Sequence, residues 1–235
     1  MGGRVDRLLP LTGEKRALRL AVGVGENLLR QMDKPVFASG GEFSARETGW
    51  ALRAFTALYL QTRDGKWLGK CEWIAEHFYS WNEKYGAWLS PYTDHTLVRI
   101  PFMIAVGVSS LMCLYRAQPS DRLKNLIINT VDDMIENCMI NGLFYYKELP
   151  SLRYTMSVPC MLEALSAAYA LSGDKKYIEA GLPTLNEILK SGGGRSFDKR
   201  IEGDAVICAG ASPKAFAQTH LPVALFLKCM ETSAE

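Results

Sequence analysis

The sequence predicts an all-α fold of helical hairpin repeats arranged in an inner and an outer layer. Three observations predict it. Four similar turn segments recur along the chain, two classes of helix alternate between them, and short connections alternate with long ones.

The turns are "LTGEKRAL" from Leu11, "QTRDGKWL" from Gln61, "QPSDRLKN" from Gln118 and "LSGDKKYI" from Leu171. Aligned on Glu14, Asp64, Asp121 and Asp174 they lie about 50, 57 and 53 residues apart, a period that signals a repeat architecture. Each has polar turn residues, then an acid, then a base. The acid suits a helix's first turn, where it meets the positive end of the dipole.

An apolar helix ending near a tyrosine precedes each of the last three turns. These are "GWALRAFTALY" to Tyr59, "PFMIAVGVSSLMCLY" to Tyr115 and "PCMLEALSAAY" to Tyr169. After them come the amphipathic helices "KWLGKCEWIAEHFYSW", "RLKNLIINTVDDMIENCM" and "KKYIEAGLPTLNEIL". The amphipathic "EKRALRLAVGVGENLLRQM" has no apolar helix before it, and the apolar "SPKAFAQTHLPVALFLKCM" has no amphipathic helix after it. A helix apolar all round is buried on all sides, whereas a polar stripe faces water. The apolar class is therefore expected inside and the amphipathic class outside. This makes three hairpins flanked by two halves, expected to form one domain over residues 1–235.

Inner-to-outer turns are short. Outer-to-inner connections are long: "DKPVFASGGEFSARE", "EKYGAWLSPYTDHTLVRI", "INGLFYYKELPSLRYTMS" and "SGGGRSFDKRIEGDAVICAGAS". Long loops in compact domains are usually functional. All four enter an inner helix at its N-terminus, so that end is the expected mouth of a site.

Composition narrows the function. The formal charge is +2 with scattered bases, which argues against a nucleic-acid binder. No apolar run reaches the length of a spanning helix, so no membrane partner is expected, and "MGGRVDRLLPLTGEK" lacks the apolar core of a signal peptide. The six cysteines form no C-x-x-C pair and read as buried free thiols, which favours a reducing, cytoplasmic compartment. No paired Cys or His ligands stand at short spacing, so neither metal nor cofactor is expected.

Hairpins in two layers with long loops at one end resemble the (α/α) toroid, nearest the six-hairpin glycosidase-like superfamily. The residues carrying the resemblance are "ETGWALRAFTALYLQTRDGKWLGKCEWIAEHF" (Glu47 to Phe78) and "EALSAAYALSGDKKYIEAG" (Glu163 to Gly181). It implies a partial (α/α) toroid acting on carbohydrate, of glycoside hydrolase or polysaccharide lyase type. A closed ring of six hairpins needs twelve helices and this sequence supplies eight, so the expectation is either an open partial toroid or a segment whose further hairpins lie in a longer natural chain. Apolar edges would otherwise drive self-association or contact with other domains.

The candidate site residues lie in the long loops. Asp94 and His95 precede Pro101, which suits the first turn of a helix, so they stand too far out to be its cap. With Tyr92 they form a candidate acid–base group; the competing reading is a loop held by side-chain hydrogen bonds. Glu42 follows Gly40-Gly41 and is a candidate general acid. Ser44 to Glu47 fits a capping box, which makes Glu47 structural. Arg46, Arg99, Arg153 and Lys214 lie near inner-helix starts and suit an anion such as a uronate carboxylate, or else are solvated bases. Trp88, Tyr92 and Tyr154 are candidate sugar-stacking faces, with core plugs as the alternative, and "GLFYY" reads as a short strand or plug. His220 reads as a core histidine.

A hydrolase needs two carboxylates, about 5–5.5 Å apart for retention or about 6.5–9.5 Å for inversion, and Glu42 with Asp94 is the pair. A lyase would use His95 or a tyrosine as base. Two other readings stand beside these. One is a helical-repeat scaffold that binds a partner. The other is an isoprenoid-type toroid, for which Asp132-Asp133 is a poor Asp-rich motif.

Overall fold

The computed structural model describes residues 15–32, 44–93, 96–148, 155–156, 159–191, 198–202, 205–209 and 213–234. Among the described residues there are eight helices: α1 (Lys15–Gln31), α2 (Ala45–Thr62), α3 (Gly65–Tyr85), α4 (Pro101–Ala117), α5 (Asp121–Cys138), α6 (Cys160–Ser172), α7 (Lys176–Ser191) and α8 (Pro213–Ala234). Each coincides with a helix expected from the repeat. Short antiparallel strands occupy the long connections: β1 (Ser90–Thr93) with β2 (Thr96–Val98), β3 (Met139–Ile140) with β4 (Leu143–Tyr145) and β5 (Thr155–Met156), and β6 (Asp198–Glu202) with β7 (Ala205–Ala209). The chain divides into two compact units, Met1–Val98 with Val106–Ile127 and Arg99–Ala105 with Ile128–Glu235, so the division crosses α4 and α5.

The repeat holds at atomic detail. At the end of α2, the N–H of Arg63 donates to Tyr59 O at 2.7 Å; at the end of α6, the N–H of Gly173 donates to Tyr169 O at the same distance. Thr62 and Ser172 hydroxyls donate back to the carbonyls of Leu58 and Ala168, both at 2.8 Å, and accept from the N–H of Asp64 (3.2 Å) and Asp174 (3.1 Å). Asp64 and Asp174 then cap the next helix by accepting from the N–H of Lys66 and Lys176. The aligned acids of the sequence repeat are thus N-caps in these two turns.

In the first unit α2 packs against α1 and α3. Leu52 and Phe55 of α2 are wholly buried, and Phe55 stacks on Trp67 at 5.8 Å. Trp67, Cys71, Ile74 and Phe78 repeat at helical spacing and give α3 one buried stripe. Burying each large side chain is worth about 1.5–3 kcal/mol before the entropy of ordering it. α2 and α4 meet backbone to backbone: a Cβ on Gly49 would stand 3.0 Å from Gly107 Cα. Only glycine permits that approach. Outer helices α1 and α3 run the same way, with Lys66 paired to Glu26 and Lys70 donating to Met32 O.

In the second unit α6, α7 and α8 pack on one another. α6 buries Met161, Leu162, Ala164, Leu165 and Ala168, which bears out its inner class. α8 departs from the expectation of burial all round: Leu221 is 39% and Leu227 43% exposed, while Phe226 is wholly buried. His220, read as a core histidine, is exposed. Strands β3 and β4 are joined by Asn141 and Gly142 at φ 49° and 78°, the two positive values of a tight hairpin turn. The "GLFYY" strand is therefore real, and Phe144 in it is wholly buried. Cys71, Cys113, Cys138, Cys160 and Cys229 are not joined in disulfides. Among the described residues no helix is long and apolar enough to cross a membrane.

Candidate functional site at the inner-helix entries

The first unit brings together part of the expected site at the start of α2. Ser44 is the N-cap residue, in extended backbone at φ −124°, ψ 112°. Its side chain does not cap the helix, contrary to the capping box read from the sequence. Its hydroxyl donates to the Glu47 carboxylate instead. Arg46 donates to the same carboxylate, from Nε at 2.7 Å and also from Nη2, and its guanidinium lies 5.3 Å from the Trp50 ring centre. Two donors aimed at one carboxylate favour its charged form. Burial raises the Glu47 pKa, but the bonds from Ser44 and Arg46 outweigh it and hold the carboxyl below its ordinary range. Glu47 is thus an ionised carboxylate, about one-third exposed, flanked by a guanidinium and a hydroxyl. One turn along, Thr48 is fully buried and its Oγ1 has no hydrogen-bond partner.

The hairpin β1–β2 pairs Ser90 with Val98 and Thr93 with Thr96. Asp94 and His95 lie outside the described residues, as do Glu42, Arg153 and Tyr154. Tyr92 is placed in β1 by its backbone. α4 starts at Pro101, so Asp94 and His95 do precede the helix by several residues. Below the hairpin, Gly86 at φ 72° ends α3, and two indoles tie the following segment down. Trp81 Nε1 donates to Leu89 O and Trp88 Nε1 to Phe78 O. Trp88 is 1% exposed, with its ring 4.5 Å from that of Phe78 and against Gly107. The expectation of a sugar-stacking face at Trp88 is corrected: its apolar area is spent in the core, where its N–H also finds a partner.

Arg99 is corrected in the same way. In the second unit its Nε and Nη2 donate to Asp133 of α5, both at 2.8 Å, and Nη1 donates to Glu148 at 2.9 and 3.0 Å. Its own N–H donates to Glu148 Oε2 at 3.1 Å, and the N–H of Glu148 donates to Arg99 O at 2.9 Å. The hydrogen bond to Asp133 raises the Arg99 pKa, burial opposes this, and Glu148 reinforces it. A guanidinium already paired with two carboxylates does not offer itself to an anion. It ties the entry of α4 to α5 and to the segment after β4. Phe102 stacks on Tyr146 at 5.5 Å beside this node. Sequence reasoning missed Asp133 and Glu148 as its partners. Glu148 had no signal, since it lies 49 residues away; Asp133 had a weak one, as an acid half-buried on an amphipathic helix.

A cleft of about 290 Å³ in the first unit lies elsewhere, at the short α4–α5 turn, lined by Glu72, Glu76, Tyr79, Gln118, Arg122 and Leu114 among others. Among the described residues no His, Cys, Asp and Glu cluster has the arrangement of a metal site.

No protein-family model matches the sequence, and no curated protein matches it. Solved structures do match its fold. A polysaccharide lyase superposes with a TM-score of 0.65 at 12% identity, covering 98% of this chain and 72% of that one. Cellobiose 2-epimerase from Bacillus thermoamylovorans gives 0.62 at 13% identity, with 98% and 72% covered. A family 76 α-mannanase from Bacteroides thetaiotaomicron gives 0.56 at 17% identity, with 84% and 56% covered. The chain has the fold of an (α/α) toroid. Its likeness to these solved structures is one of fold. The chain spans 56% of the mannanase's length.

Proposed function

We propose that this chain is a carbohydrate-active toroid domain of glycoside hydrolase or lyase type, acting on acidic glycans. The observation that carries the reading is its fold, shared with a lyase of polysaccharide, an epimerase of a disaccharide and a mannanase. In this reading Glu42, Asp94 and His95 carry the chemistry. As a hydrolase, Glu42 and Asp94 act as the two carboxylates across the glycosidic bond. As a lyase, His95 takes the proton and basic residues neutralise the uronate. Arg46, Tyr92, Arg153 and Tyr154 contact the sugar. Glu47, held ionised beside Arg46, joins this set as an acceptor for sugar hydroxyls.

A non-catalytic binding domain is the second reading. It is favoured by the engagement of Arg99 with Asp133 and Glu148 and by the burial of Trp88, which withdraw two residues from the substrate surface. The separating experiment offers neutral and uronate-containing polysaccharides to the chain and to its Glu42→Gln, Asp94→Asn and His95→Ala variants. New reducing ends mark a hydrolase, and an ultraviolet-absorbing unsaturated uronate marks a lyase; either must fall in the variants. Glycan binding without turnover supports the second reading. Turnover untouched by all three substitutions overturns the assignment of those residues.

A further inference from the structure

Trp50 is the one indole that the helix classes do not explain. It stands on α2, an inner helix whose large side chains Leu52, Phe55 and Leu58 are buried. Trp50 is 48% exposed, and among the described residues it is the only exposed aromatic side chain. Trp67 and Trp88 are each 1% exposed. An indole left in water forgoes one of the largest hydrophobic contributions open to a fold. Its direction follows from the helix. At about 100° per residue, Trp50 stands nearly opposite Leu52. Phe55 faces α3, where it stacks on Trp67. Gly49 and Arg53 face α4: Gly49 meets Gly107, and Arg53 donates to Ser109. Leu58 faces α1, against Gly25. Trp50 lies between these two flanks, on the side turned away from α3. Both flanks are filled, so its exposure is not that of a packing edge.

The groups around the ring suit one kind of ligand. Arg46, one turn back, sets its guanidinium 5.3 Å from the centre of the indole. Nε of the same guanidinium donates to Glu47 at 2.7 Å. A single guanidinium touching both keeps the indole and the carboxylate within the span of one sugar ring. Arg46 takes one face of the indole, and half-exposure is what a ring with its other face open retains. A pyranose has the matching surfaces. The C–H groups of one face lie on an aromatic ring, and hydroxyls at its edge donate to a carboxylate. Charge then selects within that class. Glu47 is ionised, held so by Ser44 and Arg46. Arg46 is thereby neutralised, and Arg53, the other charge on this side of α2, is turned to Ser109. A uronate carboxylate beside Glu47 would meet a like charge, whereas a hydroxyl would find an acceptor.

We infer that Trp50, with Glu47 and Arg46, forms a subsite for a neutral pyranose of flat C–H face, such as glucose. The inference rests on the carbohydrate reading above and narrows it: the acidic glycans taken are those that mix uronates with neutral sugars. The neutral sugar stacks on the open face of Trp50 and donates its hydroxyls to Glu47.

The test is titration calorimetry of the chain with cellohexaose, with hexagalacturonate and with an oligosaccharide of alternating glucose and glucuronate. The first and third should bind. Trp50→Ala should weaken both about tenfold, the worth of the apolar area that one ring face covers. Trp50→Phe should recover most of that loss. Affinity for hexagalacturonate should be unchanged in Trp50→Ala and should rise in Glu47→Gln, which keeps the shape and removes the charge. Leu60→Ala, 42% exposed at the far end of α2, should change nothing. Far-UV circular dichroism checks that each variant stays helical. Binding confined to hexagalacturonate, or indifferent to Trp50→Ala, overturns the subsite and leaves the carbohydrate reading standing. A loss for hexagalacturonate equal to that for cellohexaose does the same. No binding of any of the three overturns the carbohydrate reading, and the subsite with it.

Discussion

Replacing Arg99 with methionine keeps the aliphatic stem and removes a guanidinium that makes four hydrogen bonds to two carboxylates. The side chains of Arg99, Asp133 and Glu148 are 18%, 19% and 26% exposed, so water screens them only in part. Removing one partner of a buried ion pair costs about 3–5 kcal/mol, because the other charge is left without compensation. Partial exposure lowers this to about 2–3 kcal/mol here. Asp133→Asn leaves the Glu148 arm in place and should cost about 1–2 kcal/mol. The two residues share one set of bonds, so their effects should not add; a coupling of at least about 1 kcal/mol is expected in the double-mutant cycle. Urea unfolding followed by circular dichroism reads these values, with an unchanged m showing that the exposed surface is the same. A cost below about 0.5 kcal/mol for Arg99→Met, or additive effects, would refute the reasoning, since that is the behaviour of an exposed pair.

Arg63 holds the left-handed conformation at φ 57° where the equivalent turn has Gly173 at φ 72°. Arg63→Gly should therefore stabilise the fold by about 0.5–1 kcal/mol and Gly173→Ala should destabilise it by about 1 kcal/mol, read as shifts in urea midpoint; the opposite signs would break the equivalence of the turns. Glu47 titrates below its ordinary 4.5 in the folded chain, with burial opposing and the bonds from Ser44 and Arg46 prevailing. Its contribution to stability is present above that ordinary value and is lost as pH falls through the depressed folded one. Glu47→Gln should thus flatten the acid side of the stability profile, and a profile parallel to that of the unchanged protein would contradict it. Burial pushes the Cys71 thiol up to about 11 and those of Cys138 and Cys160 to about 12. At pH 8 these three should alkylate about a hundredfold more slowly in the folded chain than in urea, as peptide mass spectrometry can show; equal rates would mean the thiols are not buried.

The helices were legible because each carries its own signal. Period, apolar class and the acid at the start of an outer helix are all local, and Asp64 and Asp174 cap as that pattern implies. The small sheets were less legible. "NG" at Asn141-Gly142 and "GD" at Gly203-Asp204, each between short strands, are hairpin signals that the charge of "DKRIEGD" obscured. The site was legible only as a location. An arginine before a helix start looks the same in sequence whether it faces substrate or two carboxylates. What decides it is Glu148, 49 residues away. Trp88 in a loop likewise looks like a stacking platform until Gly107 of α4 provides the space that buries it. Ser44 and Glu47 fit a capping box by spacing, but Arg46 between them captures the carboxylate, and no rule of spacing foresees that competition.

The function proposed for the chain is action on carbohydrate at its inner-helix entries. The most direct measurement is turnover of a polysaccharide panel, neutral and uronate-containing, by the chain and by its Asp94→Asn and His95→Ala variants. New reducing ends or unsaturated uronate are expected from at least one acidic glycan, with the rate falling at least about a hundredfold in one of the variants. Absence of turnover of every glycan in the panel would contradict the proposed function, and binding without turnover would favour the non-catalytic domain.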